Sequence, residues 1–355
     1  VKIQRAWKFK LALTDDQEAT LASWLGSLRQ LYNLAIEHRS LNYQQFKICL
    51  NYYDQASELG ALKEAAPWLA EVPHHCLQQK LKDVESAFQR FFKSNFGYPK
   101  FKKRGHSDSM RFPDAKQFRV DFRQGKRTSF VKLPKIGLLK FVSSQKIVGK
   151  IKNCTISKYS SGFYISFQSE YEIDVAPNLG PAIGIDRGVR TLAMTSSGEC
   201  LELPSANILK LEKKIARAQR KLAKKRKFSN NWKKQKLKVG HFHVKIGNIR
   251  KDALHKISND IAKSHGLVVI EDLKIKNMTA SSKGTIDEPG KMVRQKSGLN
   301  RSILRQGWGE LERQFTYKLS WNGGELVKVP APFTSQRCAA CGHVAKLNRI
   351  NESFQ

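Results

Sequence analysis

Across the first thirteen residues, Val1, Ile3, Trp7, Phe9, Leu11 and Leu13 fall on alternate positions, interrupted only by Arg5. A period of two predicts a strand with one buried face. Thr14 with Gln17 three residues later spells a capping box. Behind it Leu21, Trp24, Leu25, Leu28, Leu31, Tyr32 and Ala35 repeat at helical spacing. A second amphipathic helix carries Leu77, Leu81, Val84, Phe88, Phe91 and Phe92 on one face, with Lys80, Lys82, Arg90 and Lys93 elsewhere. It stops at Phe96-Gly97-Tyr98-Pro99. Residues 14–108 therefore read as a helical module inserted after one strand.

From about 110 to 175 the period returns to two, with Phe163, Ile165, Phe167 and Tyr171 alternating with polar residues. Gly137, Gly149 and Gly162 punctuate several short strands, the pattern of a small barrel, which the strand at 1–13 would complete. Pro177 to Pro181 reads as a linker. Beyond it, Ala182-Ile183-Gly184-Ile185-Asp186 and Leu267-Val268-Val269-Ile270-Glu271 are apolar runs that each end in an acid. Such runs predict central strands buried on both faces. Thr191 to Thr195 reads as a hairpin partner, Ser205 to about Ser264 as helical, and Thr279 to Ser297 as a polar, Gly- and Ser-rich loop. A helix around Trp308 to Trp321 and a strand from Leu326 to Val329 complete an α/β order.

Charge changes the picture next. Among 355 residues, 64 Lys and Arg oppose 30 Asp and Glu, a formal charge of +34, while 40% hydrophobic content still suffices for packed cores. The chain is folded and seeks a polyanion, most commonly RNA or DNA; binding to a ribosome or a membrane surface is the plainer alternative. No apolar run approaches the roughly 20 residues of a membrane span, and the N-terminus lacks a secretory h-region. Six cysteines in a chain this long are no disulfide scaffold. A reducing compartment is expected, with Cys49, Cys76, Cys154 and Cys200 buried as small hydrophobes. No phosphate-binding G-x-x-x-x-G-K-[ST] loop, G-x-S-x-G or H-E-x-x-H occurs. His74-His75 and His241/His243 read as surface or nucleic-acid contacts.

Two basic stretches stand out. One is Lys100-Phe101-Lys102-Lys103-Arg104. The other lies on the long helical stretch, where Lys213, Lys214, Arg217, Arg220, Lys221, Lys224 and Lys225 have Glu212 as almost their only counter-charge. With cations on several sides of the helix and hardly any acidic partner, salt-bridge lacing cannot account for it, so phosphate contact is the better reading. Asp186 and Glu271 suggest chemistry. If their strands are neighbours, two carboxylates converge, and a hard divalent cation such as Mg²⁺ relieves their repulsion. Two such ions would suit in-line phosphodiester displacement. The plainer alternative is that each acid caps a strand at a loop. Cys338-Ala339-Ala340-Cys341-Gly342 is half of a four-thiolate zinc site; a redox pair or two incidental cysteines are the rivals.

Taken in order, these motifs resemble the TnpB family of transposon-encoded RNA-guided nucleases, related to type V CRISPR effectors. The resemblance rests on T-D-D-Q-E, L-R-Q-L-Y-N, G-Y-P-K-F-K-K-R, G-I-D-R-G-V-R-T-L-A at 184–193 and V-I-E-D-L-K-I-K-N-M at 269–278. W-G-E-L-E-R-Q-F-T-Y-K at 308–318 and T-S-Q-R-C-A-A-C-G-H at 334–343 complete it. It implies an α/β multidomain protein: an RNase H-like (RuvC) nuclease domain at 179–332, a β-barrel wedge domain at 1–13 and 109–178, and an inserted helical recognition module at 14–108. The first half of a zinc knuckle would occupy 333–355. Asp186 and Glu271 match the first two catalytic, Mg²⁺-binding acids, and Cys338 and Cys341 half of a structural zinc site. His74 and Gln78 align with positions that contact a short DNA motif flanking the target.

The partners implied are a guide RNA from the transposon end and a DNA target, with one protein copy per RNA, no membrane, and a prokaryotic cytoplasm at the nucleoid. The family's third acid lies beyond a second C-x-x-C, in a D-x-N-A-A segment. This chain stops at Asn351-Glu352-Ser353-Phe354-Gln355, where that second knuckle should begin, and Glu352 does not occupy the matching position. Because the chain starts at Val1 without a Met and ends inside a motif, the polypeptide is expected to continue. Were it complete, cleavage would be severely impaired and binding could survive, which makes an RNA-guided repressor the alternative. A basic RNA-binding scaffold is a third reading; it leaves the two strand-end acids unexplained.

Overall fold

The structure is a computed structural model that describes every residue except 95, 106, 107, 124, 333, 335–340, 346–348, 351, 352 and 355. Of residues 349, 350, 353 and 354 it describes the backbone alone. The chain divides into two compact units, Lys2–Ile173 and Asp174–Gln355.

In the first unit β1 (Lys2–Ala12) leads into α1 (Asp15–Phe46), a single helix of 32 residues. The capping box forms as predicted: the Gln17 amide donates to Thr14 Oγ1 at 3.3 Å, and the Thr14 amide donates to Gln17 Oε1 at 3.2 Å. Three short helices, α2 (Tyr52–Ser57), α3 (Leu59–Ala65) and α4 (Pro67–Ala70), precede α5 (His74–Lys93). Strands β2 (Ser109–Phe112), β3 (Arg119–Asp121), β4 (Thr128–Leu133), β5 (Gly137–Val142), β6 (Lys150–Tyr159) and β7 (Gly162–Glu172) follow.

With β1 at its centre the sheet runs β2-β6-β7-β1-β5-β4-β3, and all its pairings are antiparallel. Strand β7 lies four places from β3, about 19 Å in a flat sheet at ~4.8 Å per strand. Yet Phe118 and Phe122, on either side of β3, bring their rings to 6.1 and 6.3 Å from that of Phe167 on β7. The sheet therefore curls around its aromatic face, where Phe9, Phe141 and Phe167 pack at 5.3–6.0 Å. Trp7, Phe9, Leu11 and the buried faces of α1 and α5 share one continuous core with it.

Three expectations change here. Lys80, placed by periodicity off the buried face of its helix, is buried; its ammonium is taken up by Asp83 at 2.8 Å and the Ser109 carbonyl at 3.2 Å. Phe92, placed on that face, is exposed and meets the rings of Phe88 and Phe91 at 6.3 and 5.0 Å. Of the four scattered cysteines, Cys76 and Cys154 are buried but Cys49 and Cys200 are exposed. Burial pushes the Cys76 thiol up to about 12.

The second unit is built on a five-stranded sheet ordered β10-β9-β8-β11-β12, with β8 (Ala182–Asp186), β9 (Ala193–Thr195), β10 (Cys200–Leu201), β11 (Leu267–Glu271) and β12 (Glu325–Val329). Strand β11 runs parallel to both β8 and β12, and β9 is antiparallel to β8 as the hairpin predicted. Helices α6 (Ser205–Ala223), α7 (Asn230–Ser264), α8 (Ile275–Met278), α9 (Val293–Gln306) and α10 (Trp308–Trp321) complete it. The basic helical stretch is thus two helices, turned at Phe228 with φ +68°.

Strands β8 and β11 were expected to be buried on both faces, but they are buried on one. Ile183, Ile185, Val268 and Ile270 pack on Ile208, Leu254, Ile261, Leu311 and Phe315, whereas Gly184 and Val269 on the other face stay half-exposed. The expected Thr279–Ser297 loop ends early. Helix α9 begins at Val293 despite Ser297 and Gly298, because Ile303 buries itself and Asn300 donates to the Thr279 and Ala280 carbonyls, both at 3.0 Å. Residues 177–181 are likewise no loose tether. The Asn178 side chain accepts from the Gly180 amide at 2.9 Å and donates to the His265 carbonyl at 3.1 Å. At Gly266 a Cβ would lie 2.0 Å from the Asn178 carbonyl oxygen, so only glycine allows this close approach.

Between α7 and α10 runs a polar strip. Lys318, 8% exposed, donates to the His255 carbonyl at 2.6 Å and to Ser258 Oγ at 2.8 Å, and Ser258 Oγ donates to Gln314 Oε1 at 2.8 Å. Burial, opposed in part by Asp260, pushes the Lys318 ammonium from 10.5 down to about 8. Between those two values the unfolded chain binds more protons than the folded one, so this group favours the folded state increasingly as pH rises through that window. The melting-temperature difference between the native chain and Lys318→Met should therefore shift toward the native chain from pH 8 to 10. A difference that stays flat over that range would count against it.

Candidate nuclease site

The sheet register brings Asp186 and Glu271 together. Strands β8 and β11 pair in parallel up to Ile185 opposite Ile270. Each acid is the next residue, at the carboxyl end of its strand and on the face opposite those buried isoleucines. In an open α/β sheet this is where functional groups gather. The Asp186 side chain is exposed and forms no hydrogen bond or ion pair with the described residues. Glu271 accepts through Oε1 from the Thr334 hydroxyl. The neighbouring Asp272 is paired instead with Lys274 at 2.5 Å, which keeps its carboxyl below the usual range.

Beneath the acids lies a charged brace that the sequence reading missed. Arg187, directly after Asp186, has a side chain 1% exposed. Its guanidinium donates to the Glu271 main-chain carbonyl and, at 3.1 Å, to Glu312 Oε2 on α10. The other carboxylate oxygen of Glu312 takes Lys328 from β12. Gln306, at the end of α9, donates to the Val189 carbonyl at 2.7 Å and pins the loop that leaves β8. One signal was available: Lys328 is the lone cation in the strand Leu326-Val327-Lys328-Val329, and although it stays exposed, an acid beside it is its natural partner. Nothing local in the sequence says that the acid is Glu312.

The donor set suits a hard divalent cation. Among the described residues one carboxylate is uncommitted and the other keeps an oxygen free, and water can complete the shell. Among the described residues no group of three or more His, Cys, Asp or Glu side chains gathers to hold a metal. Cys341 is described and exposed; Cys338, and with it the zinc-knuckle expectation, lies outside the described residues.

The predicted nucleic-acid residues fall in separate places. On α6, Ile208, Leu211, Ile215 and Ala218 face inward. Lys213, Lys214, Arg217, Arg220 and Lys221 stand exposed on the rest of the helix, Lys224 is exposed just after it, and Lys225 is half-buried. None of the seven forms an ion pair among the described residues; Glu212 is engaged by Arg305 at 2.6 Å. In the first unit His74 opens α5, where Lys63 reaches its Nδ1 at 2.8 Å, and Gln78 lies one turn on, half-buried. Burial and Lys63 lower the His74 pKa. Lys100, Lys103 and Arg104 face solvent, but Lys102 turns inward over the Tyr32 ring at 4.0 Å, and burial lowers its ammonium to about 8.

Comparison with known proteins adds to this geometry. Residues 166–282 match the OrfB family of IS605, described as "Probable transposase". Residues 308–355 match "Cas12f1-like, TNB domain". Residues 3–47 match an OrfB "Helix-turn-helix domain", although here that stretch is β1 and one undivided helix. The "Putative RNA-guided DNA endonuclease InsQ" of Escherichia coli K12 is 42% identical, over 99% of this chain and 87% of that protein. A "Putative RNA-guided DNA endonuclease" of Streptomyces pristinaespiralis is 31% identical over 97% of this chain and 82% of its own length. Among solved structures, the Cas12f1 chain of a Cas12f1–sgRNA–target DNA complex aligns with a TM-score of 0.59. It covers 95% of this chain and 77% of that one at 13% identity, which shows a shared fold. No helix described here is long and apolar enough to cross a membrane.

Proposed function

This chain belongs to the TnpB family, the OrfB proteins of IS605-type elements, and from that premise we propose that it is an RNA-guided DNA endonuclease with a single RuvC-like site. Its guide would come from the transposon end, and a short duplex motif beside the target would license pairing. The observation that carries the reading is the placement of Asp186 and Glu271 side by side at the carboxyl ends of two parallel strands.

A divalent cation held by these carboxylates would supply charge neutralisation at the phosphate and an activated water. The chain's own residues do the rest. Arg187, Glu312 and Lys328 fix the two strand ends, and the α6 cations hold phosphates irrespective of sequence. A fixed carboxylate pair and a polycationic helix carried in one unit are what phosphodiester hydrolysis on a bound strand requires.

The test is programmed cleavage with the full reading frame, its co-expressed RNA and guide-matched plasmid, with and without Mg²⁺. Guide- and Mg²⁺-dependent cutting is the expected result. Tight guide-dependent binding without cutting would replace the nuclease with a repressor.

A further inference from the structure

The end of α5 and the strip behind it expose aromatic rings among cations. Phe92 is 72% exposed, Phe96 53%, Tyr98 45% and Phe101 55%. Large rings are ordinarily covered, and a cluster of exposed ones marks a binding surface. The strip is held firmly. Pro99 is buried, and the Tyr98 ring stands edge-on to Phe88 and Phe91 at 5.6 and 5.4 Å. Asn33 clamps the Lys102 main chain, accepting from its amide at 2.7 Å and donating to its carbonyl at 3.1 Å. Phe101 lies between these two anchors, so its exposure is built into the strip.

The surrounding charge narrows the partner. Lys93, Lys100, Lys103 and Arg104 are exposed alongside, and no Asp or Glu occurs anywhere from Ser86 to Arg104. Rings take the faces of bases while neighbouring cations take the phosphates, and alternation of the two along residues 92–104 is the chemistry of a single-strand platform. A duplex hides its base faces, so paired nucleic acid has nothing to offer the rings.

We propose that Phe92 and Phe101, with Lys100 and Lys103, form a stacking platform for unpaired bases of the RNA that this chain carries. The choice of RNA rests on the function proposed above, since an RNA bound throughout would keep this surface covered; the stacking itself does not depend on cleavage.

Full-length protein freed of its RNA is titrated with a fluorescein-labelled single-stranded RNA, with the same RNA as a blunt duplex, and with single-stranded DNA, over a series of salt concentrations. Phe92→Leu and Phe101→Leu should each weaken single-stranded RNA binding on the order of tenfold and leave the salt slope unchanged. Phe→Tyr at either position should restore it. Lys100→Gln with Lys103→Gln should instead flatten the slope by about 0.7 per lysine. Equal loss on the duplex, or no loss on either, would overturn the platform. Loss confined to single-stranded DNA would move the surface to a displaced DNA strand and overturn the assignment to RNA. A change in sedimentation without change in RNA binding would make the face a protein contact. Unchanged melting controls for folding, since both rings are exposed. A native chain that binds RNA but never cuts would remove the nuclease reading and leave these binding results intact.

Discussion

Asp186→Ala and Glu271→Ala are each expected to lower guide-directed DNA cleavage by roughly a thousandfold or more while RNA binding stays unchanged. The magnitude follows from the several kcal/mol of transition-state charge stabilisation that a metal-carboxylate site supplies, at about 1.4 kcal/mol per tenfold. The selectivity follows from geometry. Both side chains lie at strand ends away from the core, and Asp186 has no partner among the described residues whose loss could disturb the fold. Removing one of two neighbouring like charges should, if anything, raise stability slightly in the absence of divalent ions. Single-turnover cleavage, RNA gel shifts and melting curves on the same preparations separate these effects. Loss of RNA binding in either variant would count against the catalytic assignment.

Arg187→Ala should have the second-largest effect, and a different one. The guanidinium is buried between the Glu271 carbonyl and Glu312, and Glu312 also holds Lys328. Deleting the guanidinium leaves Glu312 with Lys328 alone and the Glu271 carbonyl without its donor, a loss of about 2 kcal/mol, so the melting temperature should fall by a few degrees. The planar fork that spans two acceptors is what lysine lacks, so Arg187→Lys should keep the charge and much of the stability but lose the grip on the β11 end. The discriminating readout is the Mg²⁺ concentration for half-maximal cleavage, measured well below the melting temperature. A positioning role predicts that Arg187→Lys raises it; a purely structural role predicts that it does not move. Glu312→Gln should shift it in the same direction.

The elements that local pattern can write were legible in the sequence. The alternation of Ile3, Trp7, Phe9 and Leu11, the Thr14 capping box, the helix from Trp308 to Trp321 and the apolar runs ending at Asp186 and Glu271 all stand where their periods put them. Side-chain direction in a strand or helix is fixed by the backbone repeat, so a residue's face is encoded by its own neighbours. The family was legible for a similar reason, because short motifs in a fixed order survive in sequence without any knowledge of contacts.

Tertiary structure alone decided the rest. No spacing in the chain says that β8 lies beside β11, and only that pairing turns two strand-end acids into one site. It also decided that those strands bury one face, that a Ser- and Gly-containing stretch forms α9, and that Lys80 and Lys102 turn inward while Lys100 and Lys103 remain in water. Arg187 was invisible as a brace because the worth of a charge depends on its partner and its solvation. Both are supplied by segments remote in sequence, and they exist only once the chain has packed.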